Sequence, residues 1–174
     1  MRLVFFLLMS LAADSAFAAK SSHLAESGLT PLVLEARELH PSLVTRRVDD
    51  KTIRHVPSSV IQRNPQHSTD TDFIEAIARS GSQGNLGGEG VRSALYALYL
   101  GDEELGFYGL EAASAVDANR LEDAIRKIWA HNARIDRARV HREGLVLVVV
   151  WTDGVLPEVW EAVNAAVSDR LIAP

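Results

Sequence analysis

Hydrophobic positions along the chain change their spacing several times, and each change marks a predicted element. Ser68, Thr69 and Asp70 form a capping cluster, and Phe73, Ile74, Ile77 and Ala78 then recur on one helical face until Gly81 stops the run. A glycine-rich stretch, 81–90, separates this helix from 91–100, which is apolar on nearly every side and reads as a buried helix ended by Gly101. The segment 105–111 has the composition of a strand. Asp117 is expected to cap a helix over 118–132, with an inner stripe of Leu121, Ala124, Ile125, Ile128 and Trp129. The segments 135–141 and 145–151 read as strands joined across Arg142, Glu143 and Gly144. The second is apolar throughout, as a central strand covered on a buried face would be. Thr152, Asp153 and Gly154 turn the chain, and Pro157 opens a last helix burying Trp160, Val163, Val167 and Leu171.

Together these elements predict an α+β fold. A small antiparallel sheet with a central hairpin at about 135–151 packs on one face against helices at about 71–80, 91–100, 118–132 and 157–171. Ahead of this compact part, 69–174, lies an arm or subdomain, 19–68. Its first residues, 19–28, are small and polar and are expected to be disordered. Leu29, Leu32, Val33, Ala36, Leu39 and Leu43 follow at helical spacing, with Thr30 as N-cap, Pro31 in the first position, and a stop near His40 and Pro41. The segments 44–48 and 52–56 flank Asp49, Asp50 and Lys51 as a hairpin whose strands would extend the sheet, and 57–68, with Pro57 and Pro65, reads as a linker.

The first residues carry a different signal. Arg2 precedes an apolar stretch, 3–13, and Ala16 and Ala18 are the small residues of a cleavage site, so 1–18 reads as a secretory signal peptide cut after Ala18. As a helix, that stretch reaches roughly 16 Å, against a hydrocarbon core of about 30 Å, which argues against an uncleaved anchor. No later run approaches spanning length, so no membrane span is expected after cleavage. An alanine- and arginine-rich composition suits a bacterial source, and the expected location is the periplasm or the exterior.

Composition then narrows the chemistry. The 174 residues carry a formal charge of -5 and no cysteine, and both methionines, Met1 and Met9, lie in the leader. The exported chain would contain no sulfur atom. That closes off thiol nucleophiles, disulfides, cysteine-ligated zinc, iron–sulfur clusters and covalent c-type haem. Its core must come from packing alone, with Trp129, Trp151, Trp160 and the strand 145–150 as main contributors. The charge is uneven: the arm is net basic and holds His23, His40, His55 and His67, whereas 69–174 is net acidic.

No residue pattern specifies a catalytic centre. The loop 81–90 lacks the Gly-Lys-Ser/Thr of a phosphate-binding loop, and Glu89 would repel a phosphate, so it reads as a connector with the option of a mobile or partner-contacting role. The histidines show no metal-ligand spacing; His131 reads as a helix C-terminal capping residue. No cofactor and no metal are expected. Ser82, His141 and Asp153 could assemble as a spatial triad, and Glu111 and Asp153 as a carboxylate pair, although strand-end and turn positions are ordinary places for solvated carboxylates.

The visible cluster is basic. Arg137, Arg139 and His141 would share one face of the strand 135–141 by its period of two, flanked by Arg134 and Arg142. Such a group can grip a carboxylate, a phosphate or an acidic protein partner. The same pattern also serves a solvated sheet face, or an edge strand charged against aggregation. Export and negative charge argue against nucleic acid. The sequence therefore points to an exported non-catalytic binding or partner protein, such as an inhibitor, a protective protein or an accessory subunit of an envelope or secretion system, with Arg137 and Arg139 as contact residues. The alternative is a small metal-free hydrolase whose Ser82, Glu111, His141 and Asp153 converge to within about 3 Å hydrogen-bond reach.

Overall fold

The computed structural model describes residues 28–48, 56, 57, 59–132 and 135–172. The leader 1–18, the polar stretch 19–27, the turn 49–51, most of the second strand of the expected early hairpin and Arg134 lie outside the described residues.

A six-stranded antiparallel sheet forms the middle layer, and helices cover both of its faces. In chain order the elements are a 3-10 turn at Thr30–Leu32, α1 (Ala36–Leu39), β1 (Val44–Thr45), β2 (Gln66–Ser68), α2 (Thr71–Gly81), β3 (Val91–Leu100), β4 (Glu104–Ala112), α3 (Ala115–Ala130), a second 3-10 turn at Ile135–Arg137, β5 (Ala138–Glu143), β6 (Val146–Thr152) and α4 (Pro157–Ile172). The strand order is β1-β3-β4-β6-β5, with β2 also pairing along β3. The α+β class holds, but three expectations need correcting.

First, Val91–Leu100 is a strand, not a helix. It is apolar all round because both faces are covered: Leu95, Ala97 and Tyr99 enter one core, while Ala94, Tyr96 and Leu98 enter the other. A strand buried on both sides loses the alternation that distinguishes it from a buried helix. Second, the hairpin is peripheral. β5 is the edge of the sheet and begins at Ala138, because residues 135–137 form a 3-10 turn. Third, the helices occupy both faces. α2 and α3 lie on one side with Phe73, Ile77, Leu121 and Ile125 buried; α1 and α4 lie on the other with Leu39, Val159, Val163 and Val167 buried.

Local chemistry explains the helix ends. Asp70 is the N-cap of α2 and accepts from the Phe73 N–H at 3.0 Å. For α3 the N-cap is Ser114, whose hydroxyl accepts from the Asp117 N–H at 3.1 Å; Asp117 stands three residues inside rather than at the cap. The β5–β6 connection turns at Gly144, whose φ of 54° lies in the left-handed region that glycine enters without strain.

Residues 28–48 share the main core. The expected single helix is broken into the 3-10 turn and α1, yet Leu29, Leu32, Leu34, Ala36, Leu39 and Leu43 are all buried with α4 and the sheet. The Tyr99 hydroxyl donates to the Leu34 carbonyl at 2.6 Å, and β1 pairs Val44 with Leu100. Part of the expected linker is likewise structural, since β2 pairs His67 with Leu95. Between β1 and β2, the Asn64 side chain substitutes for a strand: it donates to the carbonyls of Arg46 and Leu98 and accepts from the Leu98 N–H.

Candidate ligand-binding site

The sequence-predicted site residues are placed in different surroundings. Arg139 and His141 share a face of β5, and both turn towards α4. Arg139 makes a two-pronged ion pair with Glu161, 2.9 Å on each side, and its guanidinium lies 5.6 Å from the centre of the Trp160 ring. The hydrogen bonds from Arg139 hold the Glu161 carboxyl below the usual range and in turn raise the arginine. His141 Nε2 meets Asn164 Oδ1 at 2.8 Å. Arg142 points to the opposite face and donates to Glu122 at 2.6 Å. Arg137 is on the 3-10 turn rather than on the strand, and its Nη1 donates to the Asp153 carbonyl at 2.6 Å.

Glu122 accepts from both Arg142 and Arg126, and those hydrogen bonds, Arg142's first, depress its pKa below 4.5. A carboxyl depressed in the folded state adds stability above its unfolded pKa and loses it as pH falls through the folded one. The urea midpoint of the wild type should therefore exceed that of Glu122→Gln at pH 7, and the gap should narrow as pH falls below 4.5. A gap independent of pH would refute the pairing as its source.

The residues named for a hydrolytic centre do not converge. Ser82 is buried at the end of α2, where its hydroxyl accepts from the Leu86 N–H at 2.8 Å and so shapes the glycine-rich loop. His141 faces α4, on the other side of the sheet. Asp153 is in the turn after β6. Glu111, expected to be solvated, is only 4% exposed: it accepts from Arg92 Nη2 at 2.6 Å, from the Ser93 hydroxyl at 2.7 Å and from the Gly28 N–H at 3.3 Å. His67 is near this cluster, and burial lowers its pKa more than the Glu111 charge raises it. Among the described residues, no three His, Asp or Glu side chains gather as a metal ion requires.

A different site emerges where α2 and α3 end over the sheet. A cavity of about 350 Å³ opens there. The sheet contributes Tyr96, Tyr108 and Trp151, α2 contributes Ile77, Ser80 and Gly81, and α3 contributes Trp129. Val56 and the polar residues Gln83, Asn132, Arg137, Thr152 and Asp153 line the rest. A shallower groove bearing Lys127 and His131 continues from it and shares Gln83 and Asn132.

Small residues make this arrangement possible. Trp151 pairs with Gly106 on one side and Ala138 on the other. A Cβ on Gly106 would come within 2.8 Å of the Trp151 ring, so the missing side chain lets the indole lie across β4. A Cβ on Gly81 would come within 2.4 Å of the Tyr108 ring, whose hydroxyl donates to the Gly81 carbonyl at 2.8 Å. Burial pushes the Tyr96 and Tyr108 hydroxyls far above the ordinary phenol range, so both stay protonated. The Thr152 hydroxyl accepts from the N–H groups of Gly154 and Val155, which sets the turn that presents Asp153 to Arg137.

The tryptophans were expected as core. They are partly buried around it instead: Trp129 and Trp151 at the cavity, Trp160 beneath Arg139. Two tryptophans at separate element ends gave no local signal of a shared cavity; only the sheet register and the helix ends bring them together. Against known proteins, no family model matches the chain, and no curated protein and no solved structure matches it. Among the described residues, no helix is long and apolar enough to cross a membrane.

Proposed function

We propose that this is an exported, non-catalytic binding protein that encloses an apolar ligand or partner group in the cavity beneath the ends of α2 and α3. One observation carries the reading: four aromatic side chains, Tyr96, Tyr108, Trp129 and Trp151, line a single cavity together with polar groups. A hollow that combines apolar and aromatic walls with a small set of polar groups is the usual form of a ligand site, and about 350 Å³ falls in the range for small ligands. The separation of Ser82, Glu111, His141 and Asp153, each engaged elsewhere, favours binding over hydrolysis. The leader 1–18 supports export.

A neutral probe tests the cavity directly. N-phenyl-1-naphthylamine, which fluoresces in apolar surroundings, should bind the wild-type protein at micromolar concentration. Ser80→Trp, which fills the cavity from α2, and Trp129→Ala, which removes one wall, should each weaken it at least ten-fold while the circular dichroism stays native. Equal binding by all three proteins would overturn the assignment.

A further inference from the structure

We propose that the ligand of this cavity is an aryl carboxylate, a flat apolar ring system bearing one carboxylate; the proposal rests on the binding reading above and adds the ligand's charge and shape. The evidence is the state of Arg137. Of the basic residues described around β5, Arg139 is neutralised by Glu161 and Arg142 by Glu122. Arg137 has no carboxylate partner among the described residues. Its hydrogen bond among the described residues runs from Nη1 to the Asp153 backbone carbonyl, which anchors the guanidinium at the cavity without cancelling its charge. Nη2 and Nε keep their donors, and a guanidinium with two adjacent free N–H groups matches a carboxylate in a planar, charge-assisted pair.

The rest of the lining fits the other end of such a molecule. The Trp151 indole lies across Gly106 and lines the cavity, and Trp129 lines it from α3. Aromatic rings pack offset or edge-on against one another, so two indoles and two phenols favour a flat ring over a branched aliphatic chain. Arg137 and Trp151 line the same hollow, so one molecule could set its carboxylate on the guanidinium and its ring among the aromatic side chains. The anchoring carbonyl belongs to the turn held by Thr152, so the cation is fixed before the ligand arrives and little is lost in ordering it.

Isothermal titration with three matched compounds, 2-naphthylacetate, 2-naphthylacetamide and 2-(2-naphthyl)ethylammonium, separates charge from shape in the chain without its leader, 19–174. The carboxylate should bind about ten-fold more tightly than the neutral amide. Arg137→Gln should bring the carboxylate down to the amide's affinity and leave the amide unchanged, which also shows that the variant folds. Trp129→Ala should weaken all three. Equal affinity for acid and amide, or a preference that survives Arg137→Gln, would overturn the carboxylate while leaving the cavity as a site. Tightest binding of the ammonium compound would overturn it in favour of a cation held by the aromatic rings. Failure of all three to bind would overturn both the ligand class and the cavity reading.

Discussion

Replacing Glu111 with alanine should destabilise the protein by about 2 kcal/mol, seen as a lower urea midpoint with little change in slope. The carboxylate is 4% exposed and, among the described residues, accepts from Arg92 and Ser93 at the start of β3 and from the Gly28 N–H ahead of the first turn. Removing it takes that acceptor from the buried Ser93 hydroxyl, a loss that costs about 1–3 kcal/mol, whereas the exposed Gly28 N–H can turn to water. The Arg92 side chain is 49% exposed and can turn to solvent, so Arg92→Ala should cost less than about 1 kcal/mol. Glu111→Gln, which keeps an acceptor for Ser93, should fall between the two. An alanine variant within about 1 kcal/mol of wild type would show that the cluster contributes little.

The Glu111 cluster also shows what the sequence conceals. A carboxylate at a strand end is ordinarily solvated, and with 91–100 taken as a helix Arg92 and Ser93 have no reason to meet it. Once 91–100 is a strand, Ser93 is the registered partner of Glu111 across β3 and β4, and the buried pair follows. That one misassignment therefore hid a second feature. Its cause is physical: Val91–Leu100 is rich in Leu, Ala and Tyr rather than β-branched residues, so neither composition nor periodicity separates a doubly covered strand from a buried helix.

Elements with one solvated face were legible. The stripe Phe73, Ile74, Ile77, Ala78 is the buried face of α2, and Val163 and Val167 are buried in α4 as their spacing implied. The basic cluster around β5 was legible as residues but not as geometry. Its partners, Glu161, Asn164 and Glu122, come from helices on both sides of the sheet, and no spacing along the chain records that. Arg137 stands apart because the strand starts three residues later than expected, at Ala138, and leaves it on the 3-10 turn.

The second large effect concerns the attachment of residues 28–43. Leu29 is fully buried against Gly109, and a Cβ at Gly109 would come within 2.5 Å of Leu29 Cδ2. Leu29→Ala should cost about 3 kcal/mol through lost burial and the space left behind. Gly109→Ala, in a strand where alanine is otherwise tolerated, should cost about 2 kcal/mol because the new methyl meets a leucine already seated there. Combined, the two changes should cost at least about 1 kcal/mol less than their sum, since the methyl then occupies space the leucine has vacated. Strict additivity would mean that the two residues do not meet in solution and that this segment is not seated on β4. Coupling of the expected sign, together with one unfolding transition, would place the leucines of 28–43 in the same cooperative unit as the sheet. Their burial would then stabilise the sheet that holds the cavity, although none of them touches it.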